Sequence, residues 1–244
     1  MSFLSKLKKA RSGKIPPCTA VIVAAGRSKR MGGEDKLFIE IHGVPVLAYS
    51  LNAFQYCGYV NEIIIVTRED CLENVSQICK GFGIDKASKV IIGGNTRLLS
   101  VMNGVFAAHD KAKLIAIHDG ARPCIESVVI DRAIESAAKN HAVAPAIPVS
   151  STIKRANGNI VVDTIDRSDL FEIQTPQVFD AGLIKAALTN AVKKSIEITD
   201  DCMAVELIGA PVHITEGSRN NIKLTTGEDI NIAAAILMGI RNRE

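Results

Sequence analysis

A cluster of basic side chains follows a short apolar segment near the start of the chain. The segment "TAVIVAA" (19–25) runs into Gly26, and the next ten residues contain Arg27, Lys29, Arg30 and Lys36. Glycines let a ligand approach the backbone closely, and free amides with nearby cations can surround a polyanion. The spacing matches neither the GxGxxG dinucleotide fingerprint nor the GxxxxGK[ST] loop. We therefore predict phosphate binding here, the alternative being a surface loop with solvated Lys and Arg side chains.

A second set of candidate groups lies further along the chain. Asp119, in "IHDGARP", ends an apolar segment, and its carboxylate would suit a hydroxyl group or Mg²⁺. Arg122 could pair with Asp119 or line a pocket, whereas His118 is expected to be structural. Lys223, in "NIKLT", lies in an apolar segment predicted as a strand, where burial is costly without a charge partner.

Composition excludes several classes of protein. Of the 244 residues 47% are apolar and 23% are charged, which is typical of a soluble globular chain. With 4% aromatic residues, no Trp and a net charge of only +3, no stacking surface for nucleic acid is indicated. No apolar run approaches the roughly 20 residues of a membrane span. The six cysteines show no metal-type spacing, so we expect reduced thiols in a cytoplasmic protein.

The first eighteen residues differ in character from the rest. Residues 1–18 contain five Lys or Arg and no acidic residue, and they lack the apolar core of a secretory signal. A solvated basic extension is expected in preference to an organellar transit peptide. The remainder, 19–244, is predicted to form a single domain.

Segments typical of strands alternate with segments typical of helices. Short apolar segments predict strands at 19–25, 62–67, 89–92, 113–118 and 142–149. Helical periodicity lies between them, with apolar faces formed by Leu72, Val75, Ile78 and Phe82, by Val129, Ala133, Ile134 and Ala137, and within 97–108. This alternation predicts an α/β, Rossmann-like fold: a mostly parallel twisted sheet with helices on both faces. Such sheets bind ligands at the carboxyl ends of their strands.

The pattern changes over about 150–170. Asn157-Gly158, between two alternating segments, predicts a projecting β-hairpin arm, which would be either decoration or a dimerisation or lid element. Beyond it we expect helices at about 181–191 and 199–208, strands at 211–215 and 221–225, and a helix from about Glu228. Thr226 and Asp229 have the spacing of a capping box for that helix.

The first motif also carries a family resemblance. "AAGxSxRMG…K" is similar to the signature of sugar-phosphate and cofactor nucleotidyltransferases. Four further stretches narrow the choice: "GGNTRLLSV" (93–101), "IHDGARP" (117–123), "QTPQVF" (174–179) and "NIKLTT" (221–226). Together they resemble the 2-C-methyl-D-erythritol 4-phosphate cytidylyltransferase family from Thr19 to the C-terminus. The resemblance implies cytidylyl transfer from CTP to a polyol phosphate, with Mg²⁺ as cofactor and an arm-exchanged homodimer.

The resemblance also implies roles for individual residues. The catalytic cations would be Arg30, Lys36, Arg167 and Lys223. CTP would contact Ala24, Ala25, Gly26, Arg30, Lys36, Gly94, Asn95, Ser100, Gly120 and Lys223. The acceptor would contact Asp119, Arg122, Thr152, Arg167, Thr175 and Thr199, with Thr152 and Arg167 supplied by the partner subunit's arm. Mg²⁺ would be held mainly by the CTP phosphates, with Asp119 as its protein ligand. Thr199 could equally be a helix N-cap.

The chain departs from the family pattern at three positions. Asn95 and Asn220 stand where relatives often have acidic residues, and Ser151 stands where Asp is common. A closely similar ribitol-5-phosphate cytidylyltransferase is the alternative enzyme, since its acceptor has the same phosphate and a polyol of similar length. A non-catalytic nucleotide-binding protein is the other alternative, but it would not need to retain all four catalytic cations.

Overall fold

The computed structural model describes residues 15–26 and 35–241. Arg27, Lys29, Arg30 and most of the basic extension therefore lie outside the described residues. The strands are β1 (Cys18–Ala24), β2 (Glu40–Ile41), β3 (Val44–Pro45), β4 (Val60–Thr67), β5 (Ala87–Ile92), β6 (Leu114–Asp119), β7 (Ala142–Pro148), β8 (Ile153–Asn157), β9 (Ile160–Ile165), β10 (Phe171–Ile173), β11 (Gln177–Asp180) and β12 (His213–Glu216). The five strands predicted before the arm are confirmed, each within two residues at either end.

Helices connect most of these strands. They are α1 (Val46–Tyr56), α2 (Leu72–Gly81), α3 (Arg97–Ala107), α4 (Ser127–Asn140), α5 (Ala181–Lys193), α6 (Asp201–Glu206) and α7 (Glu228–Arg241), with a 3-10 turn at Glu69–Cys71 before α2. In the described part of the chain no helix is long and apolar enough to cross a membrane.

Eight of the described strands form one mixed sheet, in the order β10-β7-β11-β6-β1-β4-β5, with β12 also paired to β7. The pairs β1–β4, β1–β6 and β4–β5 are parallel, as the alternating pattern predicts. β11 is antiparallel to both β6 and β7, between which it lies. The carboxyl ends of β1, β4, β5 and β6 therefore meet at one edge of the sheet, where a ligand site is expected.

Helices cover both faces of this sheet. Successive side chains of β1 point to opposite faces, so Ile22 packs with residues of α1, α2 and α4, and Val21 packs with residues of α3, α5 and α6. Gly104 of α3 lies so close to the sheet that a Cβ there would be 2.4 Å from Cγ1 of Val21. The expected α/β architecture is confirmed, with one packed layer of helices on each face of the sheet.

The predicted arm is also confirmed as a hairpin. β8 and β9 pair antiparallel around the Asn157-Gly158 turn, and Gly158 has a φ of +58°, which glycine adopts readily. Within the described ranges these two strands pair only with each other. The arm therefore projects from the domain instead of extending its sheet.

Two local predictions are corrected. Residues 221–225 form no strand, because their backbone groups bond to neighbouring loops: the N–H of Leu224 donates to the carbonyl of Ala121 at 2.9 Å. Helix α6 is capped by Asp200 instead of Thr199, since the Asp200 carboxylate accepts from the N–H of Met203 at 2.9 Å. The Asp229 carboxylate accepts from the N–H of Thr226 at 2.8 Å, one half of the predicted capping box.

Candidate active site

A cleft of about 260 Å³ opens at the carboxyl ends of β1, β5 and β6. Its lining includes nine of the predicted site residues: Ala24, Ala25, Gly26, Lys36, Gly94, Asn95, Ser100, Asp119 and Lys223. A depression of about 680 Å³ beside β5 is larger, but none of the predicted residues lines it. The cleft is therefore the candidate active site.

The first wall of the cleft is the chain that leaves β1. Ala24, Ala25 and Gly26 line this wall, and the Lys36 side chain enters the cleft from the turn at 36–38. The Lys36 ammonium donates to the carbonyl of Leu224 at 2.6 Å, which ties this wall to the loop that carries Lys223. Arg30, predicted as a catalytic cation, lies outside the described residues and stays a prediction.

The second wall is the turn between β5 and α3. The N–H of Gly93 donates to the carbonyl of Thr67 at 2.8 Å, and the N–H of Gly94 donates to the hydroxyl of Ser100 at 3.1 Å. A Cβ at Gly94 would be 2.3 Å from that of Leu99, so this close approach requires glycine. The Ser100 hydroxyl is 3% exposed and also donates to the carbonyl of Thr96 at 2.9 Å. In the structure Ser100 therefore shapes the turn predicted to contact CTP.

Asp119 forms the floor of the cleft. Its Oδ2 lies 2.9 Å from the Lys223 ammonium and 3.5 Å from Nε of Arg122. Burial alone would raise the pKa of Asp119, but the charges of Lys223, Arg97 and Arg122 lower it to about 2. Asp119 is therefore ionised at neutral pH and forms an ion pair with Lys223. The Lys223 side chain is 41% exposed and lies outside any strand, so the expected burial of this lysine is wrong.

His118 and Thr175 lie beneath this floor. Thr175 is 4% exposed; its hydroxyl accepts from the N–H of Asp119 at 3.2 Å and lies 2.9 Å from Nδ1 of His118. The His118 ring is fully buried, 4.9 Å from the ring of Phe54, and burial lowers its pKa to about 3. This agrees with the structural role expected of His118. Thr175, predicted to contact the acceptor, positions the Asp119 backbone.

Arg97 is a cleft residue that was not predicted. It is the first residue of α3 and lines the cleft, and its guanidinium binds both carboxylate oxygens of Asp201 at 2.9 and 2.8 Å. Asp201 is fully buried at the start of α6, where Gln177 accepts its N–H at 3.0 Å. Planar, two-point pairing of this kind suits an arginine. In the sequence, Arg97 is visible only as a cation inside "GGNTR", because its partner Asp201 lies 104 residues away.

The remaining predicted contacts among the described residues do not line this cleft. Arg122 donates to the carbonyl of Asn221 at 2.6 Å and holds the Lys223 loop. The N–H of Gly120 donates to the carbonyl of Val23 at 2.9 Å. On the arm, Thr152 and Arg167 are exposed, and Arg167 donates to the carbonyl of Ser150. Thr199 is exposed as well. The cleft therefore gathers eight of the ten predicted CTP contacts, all but Arg30 and Gly120, whereas Asp119 is the one predicted acceptor contact among the described residues that line it.

The donor set at the cleft fits a magnesium ion bound with a polyphosphate. Among the described residues no three His, Cys, Asp or Glu side chains cluster as a metal site. Asp119 contributes the cleft's one carboxylate among the residues that line it. Mg²⁺ usually binds through one or two carboxylates together with substrate phosphates. Asp119 alone could therefore contact a nucleotide-bound Mg²⁺, but it could not hold the free ion tightly.

Known proteins are similar to this chain in both sequence and architecture. Residues 18–239 match the family model described as "IspD: 2-C-methyl-D-erythritol 4-phosphate cytidylyltransferase". A protein of that name from Halalkalibacterium halodurans is 41% identical over 220 residues, which cover 90% of this chain and 96% of the relative. Another, from Caldanaerobacter subterraneus, is 43% identical over 225 residues, covering 90% and 98%.

Solved structures agree with these matches. The 4-diphosphocytidyl-2C-methyl-D-erythritol synthase of Anaerococcus prevotii has a TM-score of 0.81 at 31% identity, covering 91% of this chain and 96% of that chain. The 2-C-methyl-D-erythritol 4-phosphate cytidylyltransferase of Thermus thermophilus has a TM-score of 0.76 at 28% identity, covering 89% and 98%. With sequence, fold and cleft in agreement, the chain belongs to the 2-C-methyl-D-erythritol 4-phosphate cytidylyltransferase family of nucleotidyltransferases.

Proposed function

We propose that this chain transfers the cytidylyl group of CTP to 2-C-methyl-D-erythritol 4-phosphate, in the synthesis of isoprenoid precursors. An oxygen of the acceptor phosphate attacks the α-phosphorus of CTP, the bond from that phosphorus to the bridging oxygen breaks, and pyrophosphate leaves. The products are CDP-methylerythritol and pyrophosphate. The names of the relatives support the substrates, and the six free cysteines support a cytoplasmic location.

The charge pattern of the cleft is the observation that carries this proposal. Of the described residues that line it, Lys36, Arg97 and Lys223 are cationic and Asp119 is the single opposing carboxylate. Both reactants are anionic, so the reaction needs charge neutralisation and alignment more than a nucleophilic side chain. Lys36 and Lys223 would stabilise the charge that builds on the α-phosphate and on the departing pyrophosphate.

The two walls divide the recognition of CTP between them. The backbone of residues 24–26 would contact the triphosphate, as a glycine-containing turn after a strand commonly does. The turn at Gly94 and Asn95 would read cytosine through backbone groups, so Asn95 need not be acidic. Mg²⁺, when bound, neutralises phosphate charge, and Asp119 is the residue that would contact it.

The arm would complete the acceptor site from a second subunit. Thr152 and Arg167 do not line the described cleft of their own chain, and Ile160, Val161 and Val162 of β9 are 74, 58 and 63% exposed. An apolar strand this exposed is typical of a surface that another chain covers. A guanidinium from that arm would suit the phosphate monoester of the acceptor.

Pyrophosphate release from CTP tests the activity. We expect turnover with 2-C-methyl-D-erythritol 4-phosphate and Mg²⁺, and far less with ribitol 5-phosphate or with UTP in place of CTP. Preference for ribitol 5-phosphate would change the acceptor but keep the mechanism. CTP binding without turnover on either acceptor would indicate a nucleotide-binding protein.

Mixed dimers test the arm exchange. A Lys36→Ala subunit has an intact arm and an Arg167→Ala subunit has an intact cleft, so their heterodimer would contain one complete site. The assay uses an acceptor concentration well below the wild-type KM, where the raised KM of Arg167→Ala leaves its homodimer with little activity. We then expect the mixture to regain up to a quarter of wild-type turnover, because half of the dimers are heterodimers with one complete site each. No recovery in a mixture shown to exchange subunits would place the acceptor site within one chain.

A further inference from the structure

Arg68 makes an unusual number of contacts for a residue that has no predicted role. It follows β4 directly, and its side chain is 16% exposed. Its Nη2 lies 2.6 Å from Oδ2 of Asp35, its Nε lies 3.1 Å from Oδ1 of Asp70, and its Nη1 donates to the carbonyl of Gly26 at 3.3 Å. The Nη2 group also lies 2.8 Å from the sulfur of Cys71. One planar guanidinium therefore holds four groups that lie on three separate segments.

The sheet explains why Arg68 reaches the first wall of the cleft. β1 and β4 are parallel, and Ala24 is paired with Thr67, so Arg68 leaves the sheet beside the chain that leaves β1. Gly26 and Lys36 both line the cleft. Arg68 contacts Gly26 directly and reaches the turn of Lys36 through Asp35.

Asp35 transmits this contact to Lys36. Its Oδ2 accepts from Arg68, while its Oδ1 accepts from the N–H of Leu37 at 3.2 Å and its carbonyl accepts from the N–H of Phe38 at 2.9 Å. Lys36 is the first residue of that turn. Because both oxygens of the Asp35 carboxylate are held, the backbone direction from Asp35 to Lys36 is held as well. This direction sets the position from which the Lys36 ammonium reaches the cleft.

We propose that Arg68 is a positioning residue for nucleotidyl transfer: it fixes the Gly26 backbone and the Lys36 turn relative to each other. Arg68 itself does not line the cleft, so it acts through these two groups and not on the substrate. The inference rests on the proposed function, in which Gly26 and Lys36 hold the CTP triphosphate. A planar group with five donors is needed, because an ammonium cannot reach a carbonyl and two carboxylates in fixed directions.

The test compares Arg68→Gln, Arg68→Lys and Asp35→Asn. Misplacing a catalytic group by about 1 Å can cost on the order of 100-fold in rate. We expect Arg68→Gln to lower kcat at least tenfold while the KM of the acceptor stays within twofold. Arg68→Lys should recover only part of this loss, because it retains the charge but not the fork. Asp35→Asn should resemble Arg68→Gln, and the double variant should lose little more, because the two act as one unit.

Arg132 provides a matched control. Its Nη1 lies 2.8 Å from both the carbonyl and Oε2 of Glu216, on the surface formed by α4 and β12. Arg132→Gln should therefore leave kcat unchanged. Thermal unfolding of every variant separates positioning from folding: a lower Tm in Arg68→Gln with wild-type kcat per folded molecule would overturn the proposal.

A wrong proposed function would give a different result from a wrong role for Arg68. If the wild-type chain releases no pyrophosphate with CTP and either acceptor, the function is wrong, and direct titration with CTP then tests Arg68. We expect Arg68→Gln to raise the Kd for CTP at least threefold relative to wild type and Arg132→Gln. Equal Kd values for all three proteins would overturn the positioning role.

Discussion

The cleft and the arm differ in how their side chains are held. At the cleft, Asp119 lies 2.9 Å from Lys223, the Lys36 ammonium lies 2.6 Å from the carbonyl of Leu224, and Arg97 binds both oxygens of a buried carboxylate. On the arm, Thr152 and Arg167 are exposed beside β8 and β9, and these two strands pair only with each other among the described strands. On the proposed function, the groups for CTP would be positioned within one subunit, whereas Thr152 and Arg167 would need a second surface to position them.

Removal of Arg97 should have the largest effect on folding. Arg97→Ala leaves the Asp201 carboxylate buried without its partner, and such a loss costs about 3–5 kcal/mol. Urea unfolding would measure this. Arg167→Ala, on the arm, should change the free energy of unfolding by less than about 0.5 kcal/mol. Equal effects for the two variants would contradict the contrast between cleft and arm.

Lys36→Ala should have the largest effect on rate. If the ammonium acts mainly on the transition state, kcat should fall by about 100- to 1,000-fold while CTP binding weakens much less. Steady-state pyrophosphate release and a separate CTP titration distinguish these quantities. Lys139→Ala, at an exposed position in the last turn of α4, is the control. An unchanged kcat would remove Lys36 from the mechanism.

Arg167→Ala should affect the acceptor alone. We expect its KM for the acceptor to rise about tenfold, which corresponds to the loss of about 1.4 kcal/mol of binding, with the KM for CTP unchanged. Arg155→Ala, on the same exposed arm, should leave both values unchanged. A raised KM for CTP would show that the arm also serves the nucleotide.

The cleft side also carries a dependence of stability on pH. Burial lowers the pKa of His118 from 6.5 to about 3, so the unfolded chain binds a proton there that the folded chain does not. Stability should therefore be complete above pH 6.5 and fall as the pH decreases, by at most about 1.4 kcal/mol per pH unit. Urea unfolding from pH 7 to 4.5 should show a smaller slope in His118→Asn. His213→Asn, at an exposed position, should keep the wild-type slope.

The sequence predicted the regions whose structure depends on local pattern. β-Branched apolar segments gave five strands, and Asn157-Gly158 gave the hairpin. Three features could not be predicted because they depend on distant partners. β11 is short and lies between strands formed earlier in the chain, and Arg97 depends on Asp201. The segment around Lys223 alternates like a strand, but it is held by contacts with Asp119 and Ala121.

The candidate site was predicted unevenly for the same reason. A glycine and cations after a strand led to the prediction of Gly26 and Lys36, because their chemistry is visible in a few neighbouring residues. Gly94 was predicted from the family resemblance instead. Thr175 and Ser100 carried the right chemical groups, but the structure uses their hydroxyls to position the Asp119 backbone and the Gly94 turn. A hydroxyl in a motif does not reveal whether it faces a ligand or its own backbone.

The isolation of the arm has an evolutionary consequence. Because β8 and β9 pair with no other described strand, a substitution there disturbs neither packed layer of the sheet. On the proposed function, selection could change which polyol phosphate is accepted while the nucleotide chemistry is inherited intact. Acceptor preference is then the property in which relatives should diverge most readily.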